Sequence, residues 1–96
     1  MTTIKTKTPL VDLKGELLTD PATQEQVLVG DVIANILTLN AGVENPARAY
    51  QFAKKFANED TVDLKAEDIV YLKKQIEAMK NLPALTAGQI IELLDN

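Results

Sequence analysis

Between Val29 and Leu94 the apolar residues recur at intervals of three and four, and three breaks divide the stretch into four amphipathic segments. One apolar stripe per 3.6 residues marks a helix that buries one side, so a helical layer is the main thing this chain can build. The first helix is predicted over residues 29–39, with Val29, Val32, Ile33, Ile36 and Leu37 on its stripe. Asp31 suits the positive end of its macrodipole, and Asn40-Ala41-Gly42 supplies residues that tolerate a left-handed terminus. The second opens with Asn45 as N-cap and Pro46 at the first helical position. Ala49, Tyr50, Phe52, Ala53, Phe56 and Ala57 give it a wide apolar face, and Arg48, Gln51, Lys55 and Asn58 mark the solvent side. Residues 59–64 read as a connector with Val62 and Leu64 turned inward. A third helix covers residues 65–80, with Ile69, Leu72, Ile76 and Met79 on its stripe. Glu67 and Asp68 stand near its start and Lys73, Lys74 and Lys80 towards its end, as the macrodipole prefers. Asn81-Leu82-Pro83 breaks it, and a last helix over residues 84–94 turns Ala87, Ile90, Ile91 and Leu94 inward.

The first 28 residues follow a different period. Ile4, Thr6 and Thr8 alternate with Lys5 and Lys7, a β-branched pattern of period two, and Pro9 suits the end or edge of a strand. In the run from Leu10 to Leu18, Asp12 can accept bonds from the backbone ahead of it and Gly15 can take the positive φ that closes a hairpin. Thr19 to Gln26, with Pro21, is a polar loop, and Val27-Leu28 returns as a third short strand. A sheet this small is not stable alone and must pack on the helices. The expected fold is therefore α+β and mostly helical: a short N-terminal β-hairpin sheet on four helices around a single core. Residues 1–96 form one domain, with residues 1–28 as its β-hairpin region and 29–96 as its helical region.

Ninety-six residues bury roughly 60–70% of their unfolded surface, enough for one core. An apolar fraction of 46% against 25% charged residues excludes general disorder and confines it to Met1–Thr3 and Asp95–Asn96. No run approaches the ~20 apolar residues of a membrane span, and the first residues do not read as a signal peptide, so a cytoplasmic location without membrane contact is expected. The chain has no Cys, His, Ser or Trp, and one arginine, Arg48. Most nucleophilic and acid–base catalysis and most transition-metal sites draw on Cys, Ser or His. The chain is accordingly read as no enzyme, with no catalytic, cofactor or metal residues.

The densest charge feature is acidic: Glu59, Asp60, Asp63, Glu67 and Asp68 fall within ten residues, opposed only by Lys65. They can bind a basic partner or a divalent cation, or serve only as a solvated run into a helix whose first turn favours acids. The spacing is not that of a calcium loop. Lys54-Lys55 and Lys73-Lys74 are the basic candidates, but one arginine and a net charge of −4 leave little affinity for nucleic acid. The phenylalanines belong to the core, and Tyr50 and Tyr71 have hydroxyls available to solvent. Gly30 and Gly88 belong to no phosphate-binding pattern. Leu39, Val70 and Leu93 fall off the main stripes, either covered by the small sheet or part of a contact surface. The residues expected to touch a partner are Glu59, Asp60, Asp63, Glu67, Asp68, Tyr71 and Leu93.

Ile4-Lys5 with Pro9, then Asp12-Leu13-Lys14-Gly15 and Val29-Gly30-Asp31-Val32-Ile33-Ala34-Asn35, resemble small proteins encoded in phages and prophages. So do Val62-Asp63-Leu64 after an Ala-Tyr helix and the C-terminal Leu-Thr-Ala-Gly-Gln-Ile-Ile-Glu-Leu-Leu. The likeness covers most of the chain, and its family has no established function to carry over. A looser similarity links the lysine- and threonine-rich β start and the helices to phage tail assembly chaperones. The resemblance implies a phage or prophage protein acting by protein–protein interaction, as an assembly factor or a modulator of a host protein. A nucleic-acid-associated regulator and a virion or tail-assembly component are the alternatives, and homo-oligomerisation is left open.

Overall fold

The computed structural model describes residues 2–19, 22, 24–39, 42–79 and 82–95. Its elements run in the order β1 (Thr2–Lys5), α1 (Val29–Leu39), α2 (Pro46–Asn58), β2 (Thr61–Leu64), α3 (Ala66–Ala78) and α4 (Ala84–Asp95). The fold is α+β and mostly helical, as its two hydrophobic periods require. The terminators Asn40-Ala41 and Asn81, together with Pro21 and Lys80, lie outside the described residues.

The principal strand pair is not local. β1 runs antiparallel to β2, with Thr2 opposite Leu64, Thr3 opposite Asp63, Ile4 opposite Val62 and Lys5 opposite Thr61. Residues 59–64, expected as a connector, thus contain a strand. Val62 and Leu64 do turn inward, and both are buried beside Ile4. Thr2 and Thr3 are held in β1, and Asp95 closes α4 in an ion pair with Lys73, so these end residues are anchored rather than loose.

The predicted N-terminal hairpin is present as single bridge pairs, Val11 with Leu17, Thr19 with Gln26 and Pro9 with Leu28. Gly15 has φ +84° at its turn, where the Gly15 N–H donates to the Asp12 carbonyl. The Asp12 carboxylate accepts the N–H groups of Lys14 and Glu16. Leu10, Leu18 and Val27 are tied by three backbone bonds of 2.8–3.0 Å, which bring the return segment beside the hairpin.

β1 leads into a tight corner at Thr6, which is buried although polar. Its hydroxyl donates to the Glu59 and Asp60 carbonyls, and its own N–H donates to Asp60. Its carbonyl accepts the N–H of Gly30 at 2.8 Å, so the start of α1 sits directly on this corner. A Cβ on Gly30 would lie 2.5 Å from the Phe56 carbonyl oxygen and 2.6 Å from Cβ of Thr6, so close approach of three segments requires glycine there.

The core gathers Ile4, Leu10, Ile33, Leu37, Phe52, Phe56, Leu64, Leu72, Ile76, Ile90 and Leu94 among its members. α1 and α2 share the broadest interface. On α2 the apolar face is narrower than expected: Ala49, Phe52, Ala53 and Phe56 are buried, whereas Tyr50 and Ala57 are exposed. No helix among the described residues is long and apolar enough to cross a membrane.

Candidate functional site

The acidic run divides in two when the chain folds. Glu59, Asp60, Asp63 and Glu67 are exposed around β2 and the first turn of α3. Asp60 meets Lys7 at 2.9 Å, and both side chains are about three-quarters exposed, so this surface pair adds little stability. Asp63 accepts the Thr3 hydroxyl at 2.6 Å across the sheet. Glu59 and Glu67 have no ionic partner among the described residues.

Asp68 belongs to a different environment. One carboxylate oxygen accepts the backbone N–H of Lys65 at 3.0 Å, capping α3, and the other accepts from the Arg48 guanidinium at 2.7 Å. Burial by itself would raise its pKa. The hydrogen bonds from the Lys65 backbone and from Arg48, with the charges of Arg48 and Lys65, outweigh burial and hold the carboxyl below its ordinary value. The acid is therefore committed to an internal pair and is not free for a partner.

Arg48, expected on the solvent side of α2, instead covers an aromatic stack. Its guanidinium carbon lies 4.5 Å from the ring centre of Tyr71 and 5.6 Å from that of Phe52, and the two rings stack at 6.0 Å. The residue sits one turn before Phe52, and that four-residue spacing was the available sign that the side chain could reach back over the ring. Tyr71, expected to touch a partner, is only 7% exposed and is part of the core. Its hydroxyl donates to the Glu44 carbonyl at 2.6 Å, so it is not open to solvent. Burial, with the Glu44 charge, raises the tyrosine pKa against the opposing effect of Arg48.

Glu44 is the second anchor of this network. Its N–H donates to the Gln75 side-chain oxygen at 3.0 Å, and its carboxylate pairs with Lys74 at 2.9 Å. Lys73 is held by Asp95, so the lysine pair of α3 is already matched by acids within the chain. On α2, Lys54 lies 5.4 Å from the ring centre of the exposed Tyr50. These two line a shallow groove of about 280 Å³ between α1 and α2, with Asn35, Thr38 and Asn58.

Of the off-stripe apolar residues, Leu39 and Val70 are exposed, whereas Leu93 is half-buried and packs against the core. Leu13, at 93% exposure on the hairpin, is the most exposed large apolar side chain among the described residues, and alternation gave no sign of it. No group of three or more Asp or Glu among the described residues is arranged to hold a metal ion. What remains of the run is four exposed carboxylates: Glu59 and Asp60 just before β2, Asp63 within it and Glu67 in the first turn of α3. Comparison with known protein families, curated proteins and solved structures finds no match to this chain.

Proposed function

We propose that this chain is a phage- or prophage-encoded protein that works without catalysis, by docking on another protein as an assembly factor or as a modulator of a host component. Its viral origin rests on the sequence resemblance given above. The docking surface is the rim of Glu59, Asp60, Asp63 and Glu67 around β2. The observation that carries this reading is the division of the acidic run. Asp68 is consumed by Arg48 and the helix cap, while the four remaining carboxylates stay exposed and, among the described residues, Asp60 alone of the four has a cationic partner. Such a surface favours association with a basic partner through steering and register. The absence of Cys, His and Ser from the chain supports the non-catalytic part of the reading.

Capture from infected or lysogenic cells tests it, with the tagged protein compared with a Glu59→Lys, Asp63→Lys, Glu67→Lys variant of unchanged melting behaviour. A protein bound by the parent and lost from the variant supports the surface. A partner held equally by both places the contact elsewhere and overturns it. A chain that captures nothing specific overturns docking as the function.

A further inference from the structure

Hydrogen bonding across the β1–β2 pair fixes which backbone groups face outward. The Thr6 N–H donates to the Asp60 carbonyl at 3.0 Å. In an antiparallel pair, bonded and non-bonded residue pairs alternate, so the register makes Ile4–Val62 and Thr2–Leu64 the bonded pairs. Thr3–Asp63 and Lys5–Thr61 are then the non-bonded pairs, where side chains come closest, and the 2.6 Å bond between Thr3 and Asp63 agrees with this. The N–H and C=O of Thr61 and of Asp63 consequently point away from β1. No described residue pairs with them, and both residues are exposed. The ends of this edge are closed: the Glu59 N–H is bonded to Lys55 and the Lys65 N–H to Asp68. What is left is a frame of four backbone groups, two residues apart, matched to one short strand.

We infer that the outer edge of β2 accepts an extended, basic segment of a partner protein as a third strand, a mode that refines the docking role proposed above and rests on it. Main-chain bonds to Thr61 and Asp63 supply the attachment. Charge supplies the selection: residues of the incoming strand opposite Thr61 and Asp63 lie on the solvent face beside Asp63, with the exposed carboxylates of Glu59 and Asp60 before one end of β2 and Glu67 beyond the other. The residue between them lies on the side of Val62, which is buried. A cationic–apolar–cationic alternation fits, and β1 itself, with Ile4 across from Val62 and Lys5 on the outer face, shows what the inner edge of the same strand accepts.

A second folded copy does not fit. Head-to-tail sheet extension would repeat the molecule every two strands, about 10 Å, whereas its shortest dimension is 23 Å. Pairing β2 with β2 of another copy would set Asp63 and its acidic neighbours against each other.

The test uses the full chain and a capped nine-residue peptide of alternating lysine and valine, with amide hydrogen exchange read by NMR. Saturable binding is expected, with exchange of the Thr61 and Asp63 amides slowed on the order of tenfold or more and the amides of α1 unchanged. The same peptide N-methylated on alternate residues in the phase whose N–H groups face β2 keeps its charge but cannot complete the ladder and should not bind, whereas the opposite phase leaves those N–H groups free and should bind. Asp63→Lys should weaken the parent peptide by about tenfold or more, read at a temperature where the variant, which also loses the Thr3 bond, remains fully folded. Equal binding of the two N-methylated peptides would overturn strand addition yet leave acidic docking standing. No binding of the parent peptide would also overturn it, and the capture experiment would then decide the docking role separately.

Discussion

The carboxamide of Gln89 closes on both backbone polar groups of Val11: the Val11 N–H donates to Oε1 at 2.9 Å, and Nε2 donates to the Val11 carbonyl at 2.6 Å. A side chain of α4 thus takes the place of a neighbouring strand and docks the hairpin onto the helices. Nε2 also donates to the Leu85 carbonyl at 3.1 Å, which fixes the rotamer from within the helix.

Gln89→Ala should lose about 1–3 kcal/mol in urea unfolding, since it leaves a half-buried backbone pair unmatched. Gln89→Glu gives a sharper test. An ionised carboxylate would face the Val11 carbonyl without a proton to donate, whereas the protonated acid can reproduce the pairing. The folded-state pKa of the introduced group is thereby raised above its unfolded value. The variant should be closest to the parent below about pH 4 and fall behind as pH rises through the folded-state pKa. A pH-independent deficit would show that the carboxamide only fills space.

Acid sensitivity should centre on Asp68. Its carboxyl is held below the ordinary value, so the stabilisation is present above the unfolded carboxyl pKa of about 3.9 and is lost as pH falls through the folded-state value. Asp68→Asn should cost about 1–2 kcal/mol at neutral pH and flatten the acid limb of the melting temperature against pH. Arg48→Met removes the hydrogen bond and charge that oppose burial, so the acid loss should begin at higher pH. An unaltered acid limb in both variants would remove Asp68 as its source.

Two glycines in helices should respond in opposite directions. Gly30→Ala pushes a methyl into the Phe56 carbonyl and the Thr6 corner and should destabilise by about 1–3 kcal/mol. Gly88→Ala meets nothing within 4 Å on α4 and should gain about 0.5–1 kcal/mol from reduced chain entropy and better helix propensity. Denaturant midpoints of the pair check both, and a neutral Gly30→Ala would disprove the close approach.

The candidate site is only partly legible in the sequence. Charge density picks out Glu59, Asp60, Asp63 and Glu67, and folding leaves each of them exposed. Asp68 and Tyr71 came from the same run of sequence but were absorbed by Arg48 and Glu44. Their partners come from 20 and 27 residues away, on α2 and the segment before it, so nothing in the local run distinguished them from their neighbours.

The sequence by itself determined the four helices, the hairpin turn at Gly15 and the inward direction of Val62 and Leu64. Each depends on contacts three or four residues apart, on one backbone torsion, or on simple alternation, all of which a local stretch of chain carries. Only the tertiary structure decided that Thr61–Leu64 is a strand, and that its partner is Thr2–Lys5 rather than the adjacent hairpin. A four-residue strand has too few side chains to specify a partner some sixty residues away. The choice fell to Thr6 and Gly30: the buried hydroxyl holds the carbonyls of Glu59 and Asp60, and the missing side chain lets α1 close onto that corner. Satisfying buried polar groups is a condition on the whole packed chain, and it becomes visible only when distant segments meet.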